Sequence, residues 1–138
     1  MGDKPGGNAP KGSRRILVAE DSRATAESSA KLLALLGHEV VVAHNGPEAI
    51  ALALSWQPEV ILLDLALPAI DGYAVAARLR QEEVCRDTTI IAVTGYGQEG
   101  DRRRSREAGI DHHLLKPVSS DVLLPLLSRA DTSSCAGD

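Results

Sequence analysis

Short apolar runs that each end on a polar residue constrain this chain more than any other feature. Ile16-Leu17-Val18-Ala19 runs into Glu20-Asp21, and Val60-Ile61-Leu62-Leu63 runs into Asp64. Ile90-Ile91-Ala92-Val93 meets Thr94, and Leu114-Leu115 meets Lys116. The runs are continuous rather than alternating, and they lie too far apart for hairpins. That pattern points to strands buried on both faces of a parallel sheet. Parallel strands bring their C-terminal ends to one edge, where open α/β sheets place their sites. The pattern therefore gathers Glu20, Asp21, Asp64, Thr94 and Lys116 on one rim, with Asp64 at its middle.

Helix-like segments separate the runs. The spacing predicts strands over 15–20, 39–43, 59–64, 89–94 and 112–116, and helices over 23–36, 47–55, 71–83, 98–108 and 119–130. Gly37 and Gly109 close the first and fourth helices, while Asn45-Gly46 turns the chain and Pro47 opens the second. Five strands alternating with five helices indicate a doubly wound α/β domain with helices on both faces. Pro125 falls inside the fifth helix, so that helix either starts later or is kinked there. Residues 1–13 are rich in Gly and Pro and read as a flexible leader or linker, 14–131 as the domain, and 132–138 as a small, polar, fraying tail.

Composition removes several function classes. A length of 138 residues suits one domain with a real core. The net charge of −4 offers no bulk attraction to nucleic acid, and 2% aromatic residues with no Phe leave no base-stacking platform. No apolar stretch has the length of a membrane span, so membrane insertion is not expected. Cys85 and Cys135 form no C-x-x-C pair, and a reducing cytoplasm is the expected location. After the first strand, Ala19-Glu20-Asp21-Ser22-Arg23-Ala24 contains no glycine-rich phosphate loop.

The rim offers acids instead. Carboxylates at Glu20, Asp21 and Asp64 repel one another, so the group either keeps a proton or binds a cation. Hard oxygen ligands with room for water suit Mg2+. A carboxylate beside such an ion can act as a nucleophile toward a phosphoryl donor. Lys116 can then receive one phosphoryl oxygen and the Thr94 hydroxyl another, while Gly95 lets backbone N–H groups approach closely. Any one of these residues alone could merely cap a helix, but five compatible ones at the ends of strands 1, 3, 4 and 5 favour chemistry.

Val18-Ala19-Glu20-Asp21-Ser22, Asp64-Leu-Ala-Leu-Pro68-Ala-Ile-Asp71-Gly72, Thr94-Gly95 and Lys116-Pro117 together resemble the response-regulator receiver domain of two-component signalling. The resemblance implies a flavodoxin-like sheet in the order 2-1-3-4-5. It implies Asp64 as phosphoacceptor, with Asp21, Asp64 and the Ala66 backbone carbonyl as direct Mg2+ ligands and Glu20 acting through a metal-bound water. It further implies that Lys116 bridges to the phosphoryl group, that Thr94 is a switch hydroxyl, and that the Lys116–Pro117 bond is cis. The implied partners are a histidine kinase or histidine phosphotransfer protein, and a downstream protein that docks on the face formed by helix 4, strand 5 and helix 5. The implied state is a monomer or a phosphorylation-dependent dimer, acting as a switch rather than a turnover enzyme. Direct DNA binding is not expected, because the sequence stops after helix 5.

Some positions depart from the commonest family pattern. Leu67 replaces the usual Met, and His113 stands where an aromatic switch residue is usual. A partly buried strand histidine is an equally good reading of His113. His112 and His113 cannot pair on a metal, because adjacent strand side chains point to opposite faces. Ala66 cannot orient an attacking water and Tyr96 can shield the site, which predicts a long-lived phosphoryl group. The segments around Asp64, Thr94 and Asp111-His-His-Leu-Leu-Lys-Pro are most similar to receivers attached to hybrid sensor kinases. Trp56 is expected to pack locally, far from the rim, and Arg102-Arg103-Arg104 with Arg106 to form a solvated helix face or a partner surface. Two other functions are compatible with the rim: a binding module that never uses its phosphosite, and an aspartyl-phosphate phosphatase. Against the second, Leu65-Ala66-Leu67 lacks the additional acid that such hydrolases carry two residues on.

Overall fold

The structure is a computed structural model and describes residues 13–95, 102–116 and 121–127. Its elements are β1 (Arg15–Ala19), α1 (Arg23–Leu35), β2 (Glu39–Ala43), α2 (Gly46–Trp56), β3 (Val60–Asp64), α3 (Gly72–Arg80), β4 (Thr89–Thr94), α4 (Arg102–Ala108) and β5 (His112–Leu115). Residues 121–127 form a further helix, α5. The strands make one parallel sheet in the order β2-β1-β3-β4-β5.

Alternation along each strand divides the core in two. Leu17, Ala19, Ile61, Leu63, Ile90 and Ala92 pack with Ala49 and Ala53 of α2, Val75 and Leu79 of α3, and Ala108 of α4. Ile16, Val18, Val60, Leu62, Ile91 and Val93 pack with Leu33 of α1 and Leu123 and Leu127 of α5. Both faces of the sheet are therefore covered, which is why the strands read as unbroken apolar runs; all five residues of β3 are buried.

Local chemistry sets the helix ends. The Ser22 hydroxyl accepts from Thr25 N–H at the start of α1, and Gly37, at φ 97°, takes the left-handed turn that ends it. Asn45 caps α2, with Pro47 in its first turn. The other end of α2 turns at Gln57, a non-glycine residue at φ 55°, immediately before Pro58.

Three expectations change in detail. The third helix ends at Arg80, not near residue 83, and a short 3-10 turn over Glu83–Cys85 follows. Asp71 is its cap rather than its first residue, with a carboxylate oxygen accepting from Ala74 N–H at 2.9 Å. The fifth helix does not begin at Pro125: residues 121–124 are already helical, and Pro125 is exposed within it. The expected cis bond at Pro117, the leader and tail, and Tyr96 lie outside the described residues. Among the described residues, no helix is long and apolar enough to cross a membrane.

Candidate functional site

The chain leaves β1 to one side for β2 and returns to the other side for β3, so the switch point of the sheet lies between β1 and β3. The register aligns Ala19 with Leu63. Glu20 and Asp64 follow these two residues and stand level at the C-terminal edge. On the other side of β3, Thr94 aligns with Leu115, so Lys116 emerges beside the end of β4 and its N–H donates to the Thr94 carbonyl at 2.8 Å.

The side chains converge there. Carboxylate oxygens of Glu20, Asp21 and Asp64 all lie within 4.8 Å of one another. Glu20 and Asp64 are each 5% exposed, whereas Asp21 faces solvent. Lys116 Nζ donates to Glu20 Oε1 at 2.9 Å and to Asp64 Oδ2 at 3.1 Å. The acid cluster thus carries its own counter-cation. Burial by itself lowers the Lys116 pKa, but the hydrogen bonds to Glu20 and Asp64 and their negative charges outweigh it and hold the ammonium above the usual lysine value. The pair therefore supports the fold throughout the neutral range and loses that effect only as pH rises through the raised lysine value.

Backbone groups fix the acids in place. Ala66 N–H donates to Asp64 Oδ1 at 2.9 Å, and Ser22 N–H donates to Glu20 Oε2 at 3.1 Å. The second contact also places Glu20 at the N-terminus of α1, where helix dipoles favour negative charge. Glu20 N–H is bonded to the Ala43 carbonyl, and the Glu20 carbonyl meets His44 Nδ1 at 3.3 Å. Behind Asp64 the chain returns closely: Gly72 N–H donates to the Leu65 carbonyl, and a Cβ on Gly72 would stand 2.8 Å from the Asp64 carbonyl oxygen. Only glycine fits that approach.

Thr94 is buried at the end of β4, on the same edge as Asp64. His113 lies elsewhere. Its neighbour in the register is Ala92, which faces α2, α3 and α4, and its Nε2 hydrogen-bonds the buried Ser105 hydroxyl of α4. Trp56 is at the far edge, with the Arg15 guanidinium 6.0 Å from its ring centroid, as expected from its place at the end of α2.

Sequence reasoning missed two features. A cavity of about 440 Å3 runs from Glu20, Asp64 and Lys116 along α1, past Thr25, Ser28 and Ser29. The four-residue spacing of Thr25 and Ser29 on one helix was its available signal. The second feature is a contact from Arg104 of α4 to Asp71 and Tyr73, for which local sequence holds no signal.

The likeness to known proteins agrees with this geometry. Residues 16–128 match the response regulator receiver domain. The DNA-binding dual master transcriptional regulator RpaA of Synechocystis is 36% identical over 121 residues, which are 85% of this chain and 50% of that protein. The chain thus spans about half the length of that relative. The polar-differentiation response regulator DivK of Brucella anthropi is 31% identical over 77% of this chain and 86% of its own. Among solved structures, the receiver domain of a sensor histidine kinase from Pseudomonas aeruginosa, with a magnesium ion coordinated in its active site cleft, superposes with a TM-score of 0.77. It is 32% identical, over 85% of this chain and 96% of that one. With its parallel sheet, its acid cluster at the switch point and this match over most of its length, the chain belongs to the response regulator receiver domain family of two-component signalling.

Proposed function

We propose that Asp64 accepts a phosphoryl group from a phosphohistidine of a histidine kinase or histidine phosphotransfer protein, and that this changes the contacts the domain makes with a downstream protein. The observation that carries this reading is the setting of Asp64. It is a nearly buried carboxylate at the sheet switch point, with Lys116 Nζ at 3.1 Å and two more carboxylates within 4.8 Å.

The donor set fits a hard divalent cation, because three residues offer carboxylate oxygens at one spot and Asp21 keeps it open to water. Asp21, Asp64 and the Ala66 carbonyl would hold Mg2+ directly, with Glu20 acting through water. Bound there, the ion supplies positive charge toward the phosphoryl oxygens. A carboxylate oxygen of Asp64 forms the new P–O bond as the donor's P–N bond breaks, and the leaving imidazole keeps the electron pair and takes up a proton. Lys116 releases its hold on the Asp64 carboxylate and neutralises a phosphoryl oxygen, while the Thr94 hydroxyl donates to another. Ala66 has no side-chain group to orient an attacking water and Tyr96 would shield the site, which would make the acyl phosphate long-lived.

On this reading the domain is a stoichiometric acceptor rather than a turnover enzyme. It signals by protein contact through α4, β5 and α5, as a monomer or as a dimer formed on phosphorylation, and His113 with Thr94 relays the change. The match over residues 16–128 supports 14–131 as the receiver unit. A cytoplasmic setting is part of this reading. Borohydride reduction tests the acceptor: after phosphorylation, peptide mapping should find homoserine at position 64 and at no other aspartate. Homoserine at Asp21 instead would reassign it.

A further inference from the structure

The cavity along α1 is larger than the chemistry at Asp64 requires. Its volume is about 440 Å3, and Glu20, Asp64 and Lys116 form only one end of it. Its floor is the sheet, at Val18, Leu62 and Val93, which are 3%, 3% and 6% exposed and belong to the core cluster under α1 and α5. Its wall is one stripe of α1: Ala24, Thr25, Ser28, Ser29 and Leu32, at the spacing of residues that share a helix face. The side chains of that stripe are small until Leu32, so the helix covers the sheet there without filling the space beneath it. Protein interiors keep few voids larger than a water molecule, and apolar walls hold water poorly.

The polar end of the cavity is out of charge balance. Glu20 and Asp64 line it and Asp21 lies in the same cluster, whereas Lys116 is the one cation among the described lining residues. Glu20 and Asp64 each accept a backbone N–H and share the Lys116 ammonium. A carboxylate has about four acceptor sites, so each can take a further donor. An anion entering this end would be repelled, and a cation attracted, in a setting largely shielded from water. The cavity therefore joins an apolar body of space to an end that favours positive charge.

We propose that this cavity binds a small organic ammonium ion with an apolar body, in competition with the divalent cation. The ammonium donates to Glu20 and Asp64, the body lies on Val18, Leu62 and Val93, and Thr25 and Ser29 flank it. Its head takes the carboxylates that would hold Mg2+, so each ligand weakens the other by the same factor. Such an amine keeps the domain unphosphorylated. The competition rests on the cation reading above, and adds to it a ligand class and a means of inhibition.

The test titrates metal-free protein with hexylammonium and follows amide chemical shifts by heteronuclear NMR, with hexanol as the uncharged control. Hexylammonium should bind saturably and shift the amides of Val18, Leu62 and Val93. Hexanol should bind roughly tenfold more weakly, because it lacks the charge. Ser29→Leu places a larger side chain in the cavity and should weaken hexylammonium binding roughly fivefold, while Mg2+ still raises the melting temperature. Ser28→Leu serves the same purpose if Ser29→Leu does not fold. Mg2+ should raise the apparent dissociation constant of hexylammonium in the wild type. Four results would overturn the proposal: no saturable binding, equal binding of amine and alcohol, binding unchanged in a folded filling variant, or binding that Mg2+ fails to weaken although it raises the melting temperature. Phosphoryl acceptance by the same samples separates the two readings. Acceptance without amine binding overturns the amine site alone; amine binding at Val18 and Leu62 without acceptance overturns the acceptor and leaves the amine site standing.

Discussion

Lys116 Nζ lies 3.1 Å from Asp64 Oδ2, so the proposed acceptor is already paired with a cation before any ligand arrives. The same ammonium serves Glu20, and both carboxylates have side chains only 6% exposed. Removing it leaves two nearly buried negative charges facing each other. Lys116→Met should lower stability in metal-free buffer by about 1–3 kcal/mol, discounted because the lysine itself is partly exposed. Added Mg2+ should raise the melting temperature of the variant more than that of the wild type. Differential scanning fluorimetry with and without the ion reads both effects.

Gly72→Ala should destabilise the fold by about 1–3 kcal/mol, because the new methyl group meets backbone rather than a yielding side chain. Its nearest neighbours would be the Leu65 Cα at 2.7 Å and the Asp64 carbonyl oxygen at 2.8 Å. Urea denaturation measures the loss. An unchanged midpoint would show that the β3–α3 return is looser than these distances state.

Arg80 ties distant parts of the chain with one guanidinium. It donates to the Gly109 carbonyl at 2.9 Å, the Cys85 carbonyl at 2.7 Å and Asp111 Oδ2 at 2.9 Å, and Asp111 in turn accepts from Ile90 N–H. Arg80→Leu should cost about 2–4 kcal/mol in chemical denaturation. Arg80→Lys should recover little of that, because a single ammonium cannot span the fork.

That contact also explains where the sequence could be read and where it could not. The rim was legible because burial on both sheet faces forces apolar runs, and parallel topology then brings their ends together. Glu20, Asp21, Asp64 and Lys116 converge accordingly. The end of α3 was not legible: Leu79-Arg80-Gln81-Glu82-Glu83 has good helix formers throughout. The helix nevertheless stops where Arg80 is drawn to Gly109 and Asp111, 29 and 31 residues away. The Arg104 contact with Tyr73 and the Ser105 partner of His113 likewise join separate elements, and no local pattern carries them. Alternation did show that His112 and His113 part ways, but not what either would meet.

His38 makes the start of β1 sensitive to acid. Its Nδ1 accepts from Arg14 N–H at 2.9 Å, which requires the ring nitrogen to be unprotonated. Burial first, and then the nearby Arg14 charge, push its pKa below the ordinary 6.5, against an opposing pull from Glu59. The unfolded chain therefore takes up the proton before the folded one. The stabilising contribution is present above pH 6.5 and is lost as pH falls through the folded-state value. His38→Asn keeps an acceptor without the titration. Its melting temperature should fall less than that of the wild type between about pH 7.5 and pH 5.5; parallel slopes would contradict this.

The most direct test of the central claim is intact-protein mass spectrometry after incubation with acetyl phosphate and Mg2+. Wild-type protein should gain the mass of one phosphoryl group, lose the gain when the ion is chelated beforehand, and show none in Asp64→Asn. A wild type that gains nothing, or an Asp64→Asn variant that gains as much as the wild type, would contradict the assignment of Asp64 as the phosphoryl acceptor.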